Sequence, residues 1–326
     1  MSRLVTIYGG SGFVGRYIAQ RMARAGWRVR VAVRRPNEAI FVKPYGTVGQ
    51  VAPVLCNIRD DESVRDAARG ADAVVNCVGT FDSGGKNNFD AVQHEGAARI
   101  ARIASEEGAS RLVQISAIGA DPAADSQYSR SKGLGESAVL QAFPNAVILR
   151  PSVVFGPEDA FFNRFAKMAR MSPILPVVGA DTNFQPVYVD DLAKAAECAL
   201  TEETAPGIYE LGGPDVESFR SLMEMMLPII RRRRIVLGLP LWIGRTIGRV
   251  SGFVSAATLG LVPPVLTLDQ AKELARDNVV SKDARGFADL GIQPTAMEAV
   301  LPSYLWQYRP SGQYAAVKES ARNLRG

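Results

Sequence analysis

The chain opens with an apolar run, "LVTIY" at 4–8, that passes straight into "GGSGFVGRYIAQRMARAG". Five apolar-rich residues in a row predict a buried strand, and the amphipathic stretch after them predicts a helix. Between the two, Gly9, Gly12 and Gly15 give the spacing G-x-x-G-x-x-G. Gly9 supplies the backbone conformation of the turn, Gly12 lets the chain approach a pyrophosphate, and Gly15 lets the helix pack on the strand. The phosphates then sit on free N–H groups at the positive end of the helix dipole. Three glycines alone say little. Placed between a strand and a helix, they predict a dinucleotide-binding turn, with Ser11, Phe13 and Val14 beside the glycines in its wall.

Five more strand-like runs follow: "RVRVAV" (28–33), "VAPVLC" (51–56), "AVVNCV" (73–78), "RLVQIS" (111–116) and "AVILRP" (146–151). Helical patterns lie between most of them, for example 88–106, with Ala91, Ile100, Ile103 and Ala104 on one stripe. Strand and helix alternating in this way predict an α/β fold, a Rossmann-like doubly wound parallel sheet over residues 1–150. The strand ends then carry the cofactor contacts. Arg34 falls 19 residues after Gly15, in "AVRRP". An acidic residue there would suit a free ribose 2′-hydroxyl, whereas arginine suits a 2′-phosphate and so points to NADPH over NADH. Arg35 and Arg16 are helpers; the bland alternative is a solvated arginine at a strand end. In "CNIRD", Asn57, Ile58 and Asp60 are placed to meet an adenine edge. In "CVGT", Val78 and Gly79 bring small backbone past the cofactor, and Pro151 closes the sixth strand.

Composition removes several other readings. The 326 residues suit one large domain and a smaller one, and 47% are apolar, enough for a sizeable core. Cys56, Cys77 and Cys198 are odd in number and far apart, which fits a reducing compartment without a disulfide framework. His94 is the single histidine, so neither a zinc site nor a Ser-His-Asp triad is expected, and no metal is assigned. A net charge of +5, scattered along the chain, gives no case for nucleic acid. Only Met1, Ser2 and Arg3 precede the first strand, so a bacterial protein or a mature form is expected.

In "YSRSK", Tyr128 and Lys132 share a helix face. A phenol beside an ammonium is a good general acid for carbonyl chemistry; two exposed polar residues on an amphipathic helix is the plain alternative. The surroundings matter here. "GGSGFVG", "NIRD", "SAIGA", "YSRSK" and "LRPSVVFGP" (149–157) appear in the order expected of the short-chain dehydrogenase/reductase superfamily, and the chain resembles its extended, epimerase-like branch. "AVRRPNEAIF", "YSRSKGLGE", "RPSVVFGPEDAFFNRFA", "FQPVYVDDLA", "YELGGP" and "LPSYLW" narrow the resemblance to the NADPH-binding accessory subunits of respiratory complex I, from residue 4 to about residue 309. That resemblance implies a Rossmann-like domain that holds NADPH without turning it over. It implies a C-terminal part docked on other complex I subunits near the membrane arm. It places the chain peripherally, on the cytoplasmic side of a bacterial inner membrane or on the matrix side if it is a mature mitochondrial form.

Reductases of the superfamily use a tyrosine for the proton, a lysine for the tyrosine and the ribose, and a hydroxyl for the substrate carbonyl. Tyr128 and Lys132 match the first two. The hydroxyl position reads Ser116-Ala117. If it falls on Ala117 the pair is vestigial and Lys132 serves the ribose; if it falls on Ser116 the triad is complete. The rival to an accessory subunit is a free NADP-dependent reductase or epimerase.

The second half is expected to split. "FQPVYVDDLAKAAECAL" (184–200) and "GIYELGG" (207–213) look like returns to the sheet. Residues 151–183 and 214–309 form the smaller α/β domain, and 310–326 a polar tail. Within 229–268, four arginines at 231–234 precede a stretch that has no charge from 250 to 268. Pro263 and Pro264 cut that stretch short of the roughly 20 residues a span needs. Trp242, Ile243, Ile247, Val250 and Val254 form an apolar stripe, Gly244, Gly248 and Gly252 a small-residue stripe, and Arg245 and Arg249 lie off the apolar one. This predicts a surface for a membrane or a partner, with ordinary core as the alternative.

Overall fold

A computed structural model describes residues 2–81, 84–244, 246, 249, 267–310 and 312. The chain divides into two compact units. The first is Met1–Ser152, Val189–Gly212 and Val280–Pro294; the second is Val153–Tyr188, Gly213–Val279 and Thr295–Gly326.

The first unit is built on a seven-stranded parallel sheet. Its strands are β1 (Leu4–Tyr8), β2 (Arg28–Val33), β3 (Val51–Leu55), β4 (Ala73–Asn76), β5 (Arg111–Ile115), β6 (Val147–Pro151) and β11 (Gly207–Leu211), in the order β11-β6-β5-β4-β1-β2-β3. The order reverses between β1 and β4. Right-handed crossovers on either side of that point send helices to opposite faces of the sheet. All of β1 and β4 is buried, as strands covered on both faces must be. Leu4, Tyr8, Val74 and Leu112 pack beneath α2 (Asp61–Ala68), α3 (Glu95–Glu106) and α4 (Gln127–Ala142). α1 (Phe13–Arg24) packs on α6 (Val189–Thr201), where Arg21 reaches Asp190 at 2.7 Å and Glu197 at 3.1 Å.

Three strands, β3, β4 and β5, stop short of the apolar runs that announce them. Cys56, Cys77, Val78 and Ser116 lie past the strand ends, in the crest where the chain turns towards its helices. The helix expected over 88–106 starts instead as a π turn, Asp90–His94. That wide turn brings the Gln93 carbonyl against Gly135 of α4, where a Cβ would stand 2.1 Å away. The 184–200 stretch contributes α6 but no strand to the main sheet. Phe184 belongs to β9 (Asn183–Phe184), which pairs with β12 (Glu217–Ser218); β10 (Val187–Tyr188) pairs with β7 (Val154–Phe155). Val280–Pro294 joins the first unit because Glu210 binds it twice. Glu210 N donates to the Arg285 carbonyl at 2.8 Å, and its Oε2 accepts from Ser281 N at 2.8 Å.

The second unit holds a separate core, with Phe155, Phe162, Phe184 and Phe219 among α5 (Phe162–Met171), α7 (Phe219–Ile229) and the helix Met297–Leu305. "FGPEDAFFNRFA" folds back on itself here. Buried Asp159 accepts from Gly156 N at 3.2 Å, from Asn163 N at 3.1 Å and from the Tyr304 hydroxyl at 2.6 Å. Burial nevertheless holds its carboxyl above the usual range. The last ladder is β8 (Ile174–Val178) with β13 (Ile235–Leu239). Of the expected apolar stripe, Trp242 is exposed and Ile243 half-buried, while Ile247, Val250 and Val254 lie outside the described residues, as do Arg245, Gly248, Gly252 and nearly all of the polar tail.

Candidate functional site

The residues singled out for a dinucleotide gather at the carboxyl ends of six neighbouring strands of the first unit. Gly9 follows β1, Arg34 follows β2 and Asn57 stands just past β3. Val78 and Gly79 stand past β4, Ser116 follows β5, and Pro151 ends β6. Open α/β sheets bind ligands in the crevice along that edge.

The turn is built by backbone. Gly9 has φ +74°, and a Cβ there would press on Cys77 and Val78 at 3.2 Å. At Gly15 a Cβ would stand 2.5 Å from the Gly9 carbonyl oxygen, so α1 seats directly on the turn. Gly12 caps α1 with no side-chain hydrogen bond, and no acidic residue occupies the first turn. A Cβ on Gly12 would meet only the Gly9 carbonyl, at 3.2 Å. The start of α1, with Phe13 and Val14 half-buried in its first turn, therefore keeps the positive end of its dipole free of acidic side chains and leaves room at Gly12. A pyrophosphate fits that cradle.

Arginines crowd the next strand end. Arg16 donates to the carbonyls of Ser11 at 3.1 Å and Gly12 at 3.3 Å, and lies over the Phe41 ring at 4.8 Å. Arg35 pairs with Glu38 at 3.0 Å. Arg34 is exposed and has no acidic partner among the described residues. Asn57 is exposed, and its Oδ1 accepts from Arg59 N at 3.3 Å. Ile58 packs against the core under α2 and α3. Asp60, read from the sequence as an adenine contact, is the N-cap of α2, its Oδ1 accepting from Ser63 N at 2.8 Å.

Tyr128 and Lys132 share a face of α4, with the Lys132 Nζ 6.0 Å from the tyrosine ring centroid. Phe81 stacks on the ring at 5.5 Å and Phe89 meets it edge-on at 6.0 Å. Lys132 is buried, its Nζ 3.4 Å from the Ile115 carbonyl oxygen. A Cβ on Gly79 would lie 3.8 Å from that Nζ, so the backbone after β4 passes directly over the lysine. Burial lowers the ammonium pKa to about 8, against the opposing pull of Glu136 and Cys77. Burial raises the Cys77 thiol to about 12, with Lys132 acting the other way.

The lysine gives a pH prediction. The unfolded chain binds this proton more tightly than the folded one, since the folded value of about 8 lies below the ordinary 10.5. The burden of the buried charge is full below pH 8 and is relieved as pH rises through the window up to 10.5. In thermal melts without nucleotide, the wild type is expected to gain stability across that window relative to Lys132→Met. Parallel pH profiles for the two proteins would refute it.

Ser116 and Glu136 complete the site, and only one of them was visible in advance. The Ser116 hydroxyl donates to Glu136 Oε1 at 2.5 Å, deep in the unit. Glu136 also takes a two-pronged contact from Arg150, 2.9 Å at Nε and 2.6 Å at Nη2. Arg150 Nη1 reaches Glu210 at 3.4 Å. Glu136 lies one helical turn past Lys132, so the spacing sets its face; Phe81, Cys77, Arg150 and Glu210 carry no local signal.

With this arrangement in view, residues 5–212 match the NAD dependent epimerase/dehydratase family, and the chain belongs to it. Within that family it is homologous to complex I subunits. It is 34% identical over 316 residues to the mitochondrial NADH dehydrogenase [ubiquinone] 1 alpha subcomplex subunit 9 of Arabidopsis thaliana, covering 95% of this chain and 79% of that one. It is 32% identical to the mitochondrial NADH-ubiquinone oxidoreductase 40 kDa subunit of Neurospora crassa, covering 95% and 80%. A ceramide reductase of Caulobacter vibrioides is 32% identical over 208 residues, 64% of each chain. Among solved structures, gox2253 superposes with a TM-score of 0.70 at 19% identity, over 94% of this chain and 99% of that one; the likeness is one of fold.

Proposed function

We propose that this chain is a non-catalytic accessory subunit of respiratory complex I, that it holds NADPH as a structural element, and that it lies peripherally at the junction with the membrane arm. The cytoplasmic face of a bacterial inner membrane, or the matrix face for a mature mitochondrial form, is the corresponding location. The observation that carries the non-catalytic part is the Ser116 hydroxyl. It donates to buried Glu136, and the next residue, Ala117, has no hydroxyl to offer. A substrate carbonyl then lacks the donor that would align it, and alignment is a large part of what a reductase site supplies. The cradle of Gly9, Gly12 and Gly15 remains, with Arg34 for a 2′-phosphate and Lys132 for the nicotinamide ribose. NADPH, when bound, would supply hydride chemistry; these residues would hold it, and neither Ser116 nor Ala117 offers a free hydroxyl to align an acceptor carbonyl. Similarity to complex I subunits along 95% of the chain supports the assembly.

The second reading is a free NADP-dependent reductase. Tyr128 and Lys132 favour it, as does the likeness to a ceramide reductase. One set of variants separates the two. Tyr128→Phe is expected to leave assembly and NADPH retention intact, and Lys132→Ala to loosen the nucleotide about tenfold, the worth of one hydrogen bond to a charged group. Hydride transfer to a carbonyl at enzyme-like rates, abolished by Tyr128→Phe, would establish the reductase instead.

A further inference from the structure

In the second unit, β8 and β13 run parallel in the register Ile174↔Ile235, Leu175↔Val236, Pro176↔Leu237. Side chains alternate across such a ladder. Leu175 and Val177 turn into the core, and Val236 packs against it. The opposite face turns out Ile174, Pro176, Ile235 and Leu237. Ile235 is 66% exposed, Leu237 46% and Ile174 42%. The register sets Ile174 beside Ile235 and Pro176 beside Leu237, so the four form one patch. Isolated apolar side chains on a surface are ordinary; contiguous ones mark an interface. Met171, three residues before Ile174, and Trp242, three after Leu239, are also well exposed.

Positive charge collects where both strands begin. Arg234 donates to the Ala169 carbonyl at 2.7 Å, next to Arg170, and to the Arg233 carbonyl at 2.9 Å. Arg232 donates to the Tyr308 carbonyl at 3.1 Å. Arg170, Arg232, Arg233 and Arg234 have no carboxylate partner among the described residues. Arg232 is held below the usual arginine range by burial and then by the guanidiniums of Arg234 and Arg170. Like charges so close favour an anionic neighbour.

No helix among the described residues is long and apolar enough to cross a membrane. An aliphatic patch with basic residues at its border suits a surface that lies on a bilayer. The apolar side chains enter the acyl boundary and the guanidiniums stay with the phosphates. The four outward residues of the ladder bear no polar side-chain group with which to read a protein partner. A hydrocarbon boundary needs none, and mobile headgroups can gather beneath the arginines. We propose that the outer β8–β13 face, with Arg170 and Arg232–Arg234, docks on an anionic lipid bilayer, with Ile235 and Leu237 among the lipids. The proposal rests on the peripheral membrane placement argued above and gives that placement a surface.

The test sediments the full NADPH-loaded chain with vesicles of phosphatidylcholine alone, or mixed with phosphatidylglycerol. Binding to the mixed vesicles is expected to exceed binding to neutral ones by about tenfold or more and to weaken as salt is raised. Ile235→Asp with Leu237→Asp should abolish it. Arg170→Glu with Arg233→Glu should lower it about tenfold; both side chains are exposed, so this second variant keeps the test valid if the first fails to fold. A far-UV circular dichroism spectrum and a cooperative melt like those of the wild type report that each variant is folded. Equal binding to both vesicle types, or binding unchanged in a folded variant, overturns the proposal. Loss of the chain from complex I in variants that still bind lipid also overturns it, and assigns the face to an acidic protein surface. Vesicle binding needs no other subunit. A chain that binds lipid through this face but never migrates with complex I would sink the assembly reading and leave this one standing.

Discussion

Arg150→Ala is expected to lower the stability of the first unit by about 3–5 kcal/mol in denaturant titration. Arg150 is the cation paired with two carboxylates that hardly touch water, Glu136 at 4% and Glu210 at 7% exposure. It forks onto Glu136 through Nε and Nη2 and reaches Glu210 through Nη1. Removing it leaves both acids buried without their counter-ion, and that uncompensated desolvation is the costly event. The damage spreads in two directions. Glu136 orients the Ser116 hydroxyl at the end of β5. Glu210 anchors Val280–Pro294 through Ser281 N and its own backbone N–H. A loss under about 1 kcal/mol would falsify this account. The complementary experiment replaces all three at once, Glu136→Met, Arg150→Met and Glu210→Leu. The triple variant leaves neither acid buried without its cation, though Lys132 loses the pull of Glu136, and it is expected to recover part of what Arg150→Ala loses.

That network also marks where the sequence stops being legible. The glycine turn and the six strands could be read directly, since turn chemistry and apolar periodicity act over a few residues. Glu136 stood four positions after Lys132 on a predicted helix, so its face was fixed too. Its partners were not. Arg150 and Glu210 lie on β6 and β11, brought side by side by sheet order alone. The Ser116 hydroxyl likewise turns into that network through Glu136, a contact that no spacing along the chain announces. Asp60 shows a different failure: it begins a helical stretch, where an aspartate caps the backbone, and that local demand takes the side chain assigned to adenine. In the second unit, "ILPVV" and "IVLGL" are apolar at nearly every position, so no alternation along the chain marks an outer face. Only pairing shows that Ile235 and Leu237 face outward, because a two-stranded ladder has one core to cover and β-alternation leaves the other face bare. The boundary at Val280–Pro294 rests on hydrogen bonds to backbone, which leave no trace in the pattern of side chains.

Arg34→Asp is expected to weaken NADPH binding about a hundredfold and to abolish the preference for NADPH over NADH. The argument turns on which guanidinium is available to a 2′-phosphate at the end of β2. Arg16 is held across the glycine turn by the carbonyls of Ser11 and Gly12 and by the Phe41 ring. Arg35 has Glu38 at 3.0 Å, although both are well exposed and such a pair holds weakly. Arg34, directly after Val33, has no acidic partner among the described residues. A hydrogen bond to a charged group is worth about 1.5–3 kcal/mol, which is roughly ten- to 150-fold in affinity. Reversing the charge adds repulsion of the phosphate to that loss. The new carboxylate can instead accept from a free ribose 2′-hydroxyl, so NADH should bind the variant no worse than the wild type. Fluorescence titration of both nucleotides into both proteins gives four affinities. Arg35→Asp, measured alongside, should cost NADPH much less, since Arg35 already has a carboxylate beside it. If the wild type holds NADPH and NADH equally, or if Arg35→Asp proves the more damaging change, Arg34 does not read the 2′-phosphate and the preference for NADPH has no basis at this strand end.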